Sequence, residues 1–148
     1  MITYSGEVSI KAPAEQVFRC FTDPRLLDQF TAMQNSRVLN GNKLEQLGAH
    51  LETEINEGPM KAKLVFEVDA IEPGRHISFK SISQGPLQWN GEYWIEPQGA
   101  GASRLRQRGE IRFRGFMRLL EPLMRGEVQK GEQREIEKLR DLLESGQI

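Results

Sequence analysis

The stretch VSIKAPAEQVFRCFTDP, residues 8–24, changes backbone period from two to 3.6 and then restarts a helix, which leaves few folds open. Leading into it, Tyr4, Gly6, Val8, Ile10 and Ala12 alternate with Thr3, Ser5, Glu7, Ser9 and Lys11. That is the period of a strand with one wet face. Pro13, with its fixed φ, suits the first turn of a helix, and Val17, Phe18 and Phe21 then recur at helical spacing. Asp23-Pro24 is a second helix start, a side-chain acceptor at the N-cap followed by proline at N1. Leu26, Leu27 and Phe30 give that short helix its apolar side.

From about Ser36 to Arg114 the period returns to two. Turn signals interrupt it at Asn40-Gly41-Asn42, Glu57-Gly58-Pro59, Pro73-Gly74, Gln84-Gly85-Pro86 and Gln98-Gly99-Ala100-Gly101. They delimit six strands. The inward sets read Leu47, Ala49, Leu51, Thr53 and Ile55; Ala62, Leu64, Phe66, Val68 and Ala70; and Ile77, Phe79 and Ser81. Two more follow: Trp89, Gly91, Tyr93 and Ile95, then Leu105, Gln107, Gly109, Ile111 and Phe113. Hairpins in succession mean one antiparallel sheet. The last third reads as a single long helix. Its stripe is Phe116, Leu119, Leu120, Leu123 and Met124, resumed by Ile136, Leu139, Leu142 and Leu143. Pro122 is expected to kink it, and Gly126 and Gly131 to weaken its middle.

A chain of 148 residues is one domain's worth, here residues 1–145 with 146–148 as a tail. At that size ~68–70% of the unfolded surface is buried without a disulfide or metal staple. Twenty Lys and Arg against 21 Asp and Glu leave no global field that would steer nucleic acid toward the protein. Apolar runs are far shorter than the ~20 residues of a membrane span, so no stable membrane insertion is expected. The first residues lack a basic n-region and an apolar h-region, and the single Cys20 suits a reducing compartment. The expectation is a cytoplasmic protein.

The order of elements, with IKAPAEQVFRCFTDPRLLDQF near the start and FRGFMRLLEPLMRGEVQKGEQREIEKLRDLLE at the end, resembles the START/Bet v 1-like (SRPBCC) superfamily. Within it the chain is most similar to the polyketide cyclase/dehydrase-type branch, over nearly its whole length. Phe30 stands where such proteins commonly carry tryptophan. The resemblance implies an α+β helix-grip fold: a curved seven-stranded antiparallel sheet around a long C-terminal helix, with two short helices after strand 1. It also implies an elongated apolar cavity between sheet and helix. It implies no catalytic residue, because the superfamily shares no catalytic motif, so function has to be argued from the lining.

Pairing Glu96 with Arg104 across the last hairpin sets Ile95 opposite Leu105, Tyr93 opposite Gln107, Gly91 opposite Gly109 and Trp89 opposite Ile111. Two facing glycines either let the strands bend or leave space above them. Polar inward groups are few: the Tyr93 hydroxyl, the Gln107 amide, Thr53, Ser81 and the Trp89 N–H. Tyr93 and Gln107 either satisfy each other or orient a ligand. The candidate ligand-binding set is Trp89, Gly91, Tyr93, Gln107, Gly109, Ile111, Phe66 and Phe79 from the sheet, with Met117, Leu120, Met124 and Val128 from the helix.

No charged group is expected to point in. Parity puts His50 on the outer face, His76 falls at a turn, and Cys20 flanks its helix's apolar stripe. None has triad or metal spacing, and no nucleotide motif is present, so no catalytic residue, metal or cofactor is assigned. Arg104, Arg106, Arg108, Arg112 and Arg114 share one face, where Glu96, Glu92 and Trp94 are placed to pair with the first three. Arg112 and Arg114 are left to meet an acidic head group at a cavity mouth.

The leading expectation is a carrier or sensor for a hydrophobic small molecule such as a lipid, isoprenoid, quinone or polyketide-like aromatic. The alternative is a polyketide aromatase/cyclase-type enzyme that works by orienting its substrate. A further alternative is a protein-interaction module using the outer face, with Trp94 and Val65, or the final helix. A homodimer through the final helix is compatible with its spare apolar surface.

Overall fold

The computed structural model describes residues 1–41, 43–57 and 60–148. Its elements are β1 (Ile2–Ile10), α1 (Ala14–Thr22), α2 (Pro24–Phe30), β2 (Met33–Val38), β3 (His50–Glu57), β4 (Met60–Glu72), β5 (His76–Ser81), β6 (Leu87–Pro97), β7 (Ser103–Phe113) and α3 (Glu121–Glu144). The seven strands form one antiparallel sheet in the order β1-β7-β6-β5-β4-β3-β2, curved around α3. This is the helix-grip arrangement. The expected turns at Asn42 and at Gly58-Pro59 lie outside the described residues.

Local chemistry explains the joints. Asp23 caps α2, its carboxylate accepting the Arg25 N–H at 3.0 Å, and Pro24 occupies the first turn. Ser103 Oγ donates to the Ala12 carbonyl at 2.6 Å and ties the exit of β1 to the start of β7. The β6–β7 register is the one that charge pairing and parity predict, with Glu96 facing Arg104, Tyr93 facing Gln107 and Gly91 facing Gly109. Arg108 bonds Glu92 at 3.2 Å, and Arg106 lies 5.8 Å from the Trp94 ring centroid. Arg104, however, takes Glu7 of β1 at 2.8 Å, because β1 is its neighbour on the other side.

A sheet edge carries unpaired backbone groups that must be covered, and α3 covers the free edge of β1. Gln129 accepts from Ser5 N at 3.2 Å and donates to Ser5 O at 2.6 Å, as a strand would. Further along, Gln133 donates to Glu7 O at 3.2 Å and Glu144 accepts from Lys11 N at 3.0 Å. The helix ends in a glycine cap: Gly146 at φ +74°, with Gln147 N–H bonding the Leu142 carbonyl at 3.0 Å. Ile148 packs back on the core.

Several expectations change. Leu47 is 68% exposed in the turn before β3 rather than inward. A bulge between Val68 and Ala70 shifts the parity of β4, so Ala70 pairs with outward Ser78 while Ile71 joins the buried Ile77. The C-terminal segment is not one helix from Phe116. Gly115, at φ +68°, turns the chain into a 3-10 stretch, Gly115–Leu120, and α3 starts only at Glu121. Pro122 therefore sits in the first helical turn, where it lacks no hydrogen bond, and kinks nothing. Three residues per turn eclipse Phe116 with Leu119 and Met117 with Leu120. The first pair points outward, and Phe116, Leu119 and Leu123 are 75%, 78% and 79% exposed.

Candidate functional site

The inner faces of β6 and β7 bring the two glycines opposite each other as expected, and the space above them is shared by two tyrosines. Tyr4 of β1 pairs with Gly109 and lays its ring across it. A Cβ on Gly109 would stand 2.7 Å from Tyr4 Cε1 and closer still to its Cζ and hydroxyl, so only glycine permits this approach. The Tyr4 hydroxyl accepts the Trp89 indole N–H at 2.7 Å, a bond buried between β1 and β6. The gap above Gly109 is thus filled, from the neighbouring strand rather than from the helix.

Above Gly91 there is still room. A slot of about 20 Å³ remains, lined by Thr31, Met33, Phe66, Phe79, Trp89, Gly91, Tyr93 and Glu135. That is space for about one water, well below the ~300–1,000 Å³ of established small-molecule pockets. The Tyr93 ring is wedged against Phe21, 4.3 Å between centroids, with Phe79 edge-on at 6.4 Å. Its hydroxyl lies within the electrostatic reach of Glu132 and Glu135 and does not pair with Gln107. The Gln107 amide instead donates to the Glu132 backbone carbonyl at 2.9 Å and holds α3 to the sheet.

The expectation that no charged group faces inward is corrected. Counting on from Val128 by helical steps reaches Glu132, Glu135, Ile136 and Leu139, so the face that buries the leucines also carries two carboxylates. Glu132 is 5% exposed, and Glu135 borders the slot while one oxygen accepts the Ala32 N–H at 2.9 Å. Burial, reinforced by Glu132, raises the phenols of Tyr4 and Tyr93 well above the ordinary tyrosine value. Both therefore stay protonated at neutral pH, and Tyr93 presents a hydrogen-bond donor to the slot.

Of the other expected lining residues, Gln107, Ile111 and Gly109 belong to the packed interior. Met117, Met124 and Val128 lie half-buried against the core, and Leu120 is half-exposed. Thr53 bonds Ser36 Oγ at 2.7 Å, and Ser81 Oγ bridges the Trp89 backbone at 2.8 Å on both its N–H and its carbonyl. Sequence reasoning misses Thr31, Met33 and Glu135 in the slot's lining and Tyr4 beside it. Tyr4 is legible as inward, but its partner is 105 residues away, and nothing local announces the β1–β7 register.

The remaining candidates stay outside. His50 bonds Glu67 at 3.2 Å on the outer face. His76 opens β5 rather than sitting in a turn, bonding Glu92 at 2.9 Å and stacking on Trp94. Cys20, though it flanks the apolar stripe, is buried, and burial pushes its thiol up to about 11. Among the described residues no group of three or more His, Cys, Asp or Glu is placed to hold a metal ion, and no helix is long and apolar enough to cross a membrane.

The fold is shared with solved structures. A conserved protein from Geobacillus kaustophilus superimposes with a TM-score of 0.77 at 14% identity, over 97% of this chain and 96% of that one. A protein from Thermus thermophilus gives 0.78 at 17%, over 97% and 98%. The Zhui aromatase/cyclase from Streptomyces sp. R1128 gives 0.67 at 16%, over 95% and 94%. At such identities the likeness is one of fold. No curated protein sequence matches the chain. The model of the family described as polyketide cyclase/dehydrase and lipid transport matches residues 1–144. With that match over nearly its full length, the chain belongs to the polyketide cyclase/dehydrase and lipid-transport family.

Proposed function

We propose that the protein is a carrier or sensor that holds a hydrophobic small molecule between the sheet and α3. The ligand class is a lipid, isoprenoid, quinone or polyketide-like aromatic bearing at least one oxygen acceptor. The observation that carries this reading is the Tyr93 hydroxyl. It is a protonated donor on a ring set among Phe66, Phe79 and Trp89 in the lining of the slot. A polar group in a mostly apolar lining is how ligand sites fix orientation. The slot has to widen for such a ligand. The wall suited to moving is the first half of α3, whose Met124 and Val128 rest half-buried on the core and whose Gly126 and Gly131 lower helix propensity. Met33 and Met124 adapt to varied shapes.

Native mass spectrometry before and after mixing with a hydrophobic extract tests the reading. A discrete mass increment released by denaturation is expected, with occupancy about three- to ten-fold weaker in Tyr93→Phe, the worth of one hydrogen bond. No increment under any condition, or one that Tyr93→Phe leaves unchanged, overturns it.

A second reading, an aromatase/cyclase-type enzyme, is favoured by one observation: Glu135 borders the same slot as Tyr93. A phenol that donates and a carboxylate that accepts are the minimum for moving a proton along a poly-carbonyl chain held in a reactive shape. If so, Glu135→Gln abolishes turnover of a poly-β-ketone substrate while Gln107→Leu lowers stability more than rate. Unchanged turnover in Glu135→Gln removes this reading.

A further inference from the structure

Six large apolar side chains are exposed among the described residues, and five of them sit at one end of the sheet. Phe116 and Leu119 project from the segment that joins β7 to α3, and Leu123 from the first turn of α3. Met1 enters beside them, since Ile2 pairs with Ile111 near the end of β7. Ile82 follows the end of β5, in a connection that Arg114 N–H ties to β7 through the Pro86 carbonyl at 2.9 Å. The opposite side is apolar too, with Met117 of the joining segment and Met124 and Val128 of α3 packed on the core. Apolar side chains thus lie on both the core side and the solvent side here, and only the core side is covered.

Charge surrounds the exposed side. Arg112, Arg114, Arg118 and Arg125 are all exposed and form no ion pair with any described residue. The acid among them, Glu121, is buried and engaged by the Met1 amine and the Phe113 N–H. Glu127 lies further along α3.

We propose that this end of the molecule docks on the surface of an anionic lipid bilayer, the three apolar side chains entering the headgroup–acyl boundary and the four arginines meeting the headgroups. Protruding side chains ringed by cations match a fluid, negatively charged interface. A two-fold dimer through the same patch would set each arginine cluster against its copy. An acidic protein would pair the arginines but leave Phe116, Leu119 and Leu123 against polar groups. The inference is independent of the ligand reading, because none of these residues lines the slot. It concerns surface docking and requires no spanning segment.

Vesicle co-sedimentation tests it, with phosphatidylcholine alone and with about one third phosphatidylglycerol. Each arginine near an anionic surface is worth about five-fold in binding, so the wild-type protein should bind the anionic vesicles at least about ten-fold more tightly, a preference lost at high salt. Phe116→Ser/Leu119→Ser/Leu123→Ser should lower anionic-vesicle binding by at least about ten-fold. Arg114→Gln/Arg118→Gln should narrow the difference between the two vesicles. These side chains support no core, so circular dichroism should be unchanged in both variants. Equal binding to the two vesicles, binding to neither, or undiminished binding by the triple serine variant overturns the proposal. So does a wild-type dimer that the serine variant converts to monomer.

Discussion

Gly109→Ala is the sharpest perturbation this interior offers. In a strand, alanine is intrinsically better than glycine by about 0.5–1 kcal/mol, so propensity alone predicts stabilisation. The structure predicts the opposite, because the new methyl would occupy the place of the Tyr4 ring. A ring held between strands is displaced only by forcing rotamers or backbone, at about 1–3 kcal/mol. Its movement also breaks the 2.7 Å bond from Trp89 and leaves a buried indole N–H unsatisfied, a further ~1–3 kcal/mol. The net loss should be about 1–5 kcal/mol, a large part of the ~5–15 kcal/mol that holds a domain folded. Urea unfolding followed by far-UV circular dichroism measures it without relying on Trp89 as the reporter. The decisive control is the same substitution in a Tyr4→Ala background, where the methyl meets no ring and Gly109→Ala should become neutral or stabilising. A cost that persists there, or a single-variant cost under about 0.5 kcal/mol, would refute the packing argument.

Three further outcomes follow from local geometry. Asp23→Ala removes the acceptor of the Arg25 N–H and should cost about 0.5–2 kcal/mol in urea unfolding, with Asp23→Asn recovering most of it. Cys20, buried and with its thiol pushed up to about 11, should react with a disulfide reagent at pH 8 only as fast as the protein opens, and at once in urea. A native-state rate equal to that of free cysteine would contradict its placement. Glu121 is held below the usual carboxylate value of 4.5, first by the Met1 amine and then by the Phe113 N–H. A depressed folded value means its contribution is complete above about pH 4.5 and fades as the pH falls through the lowered value. Glu121→Gln should therefore flatten the acid side of the stability profile, and an unchanged slope would show that the carboxylate contributes nothing there.

What could be read from the chain alone was whatever depends on near neighbours. Most of the strand parity from β3 to β7, the cap at Asp23 and the β6–β7 register are set by residues a few positions apart or across a short turn. Alternation, turn chemistry and charge pairing suffice for those. Phe66, Phe79, Trp89, Gly91 and Tyr93 therefore fall on the inner face by parity alone, and they line the slot. The bulge in β4 escaped because Val-Asp-Ala reads as unbroken alternation, and only pairing with β5 shows the extra residue. Phe116, Leu119 and Leu123 escaped because apolar spacing cannot say which side of a segment meets the core. Gly115 and the 3-10 turn decided that.

The interior chemistry was decided by tertiary structure. Tyr4 reaches Gly109 and Trp89 across 105 and 85 residues of sequence, and Glu135 reaches Ala32 across 103. The cost of closing such loops grows only slowly with their length, so no local sequence signal need mark where these partners meet. Sequence determined the sheet, the helices and the inward-facing set. Which inward residues fill space and which bond each other depended on how the two ends of the chain pack together.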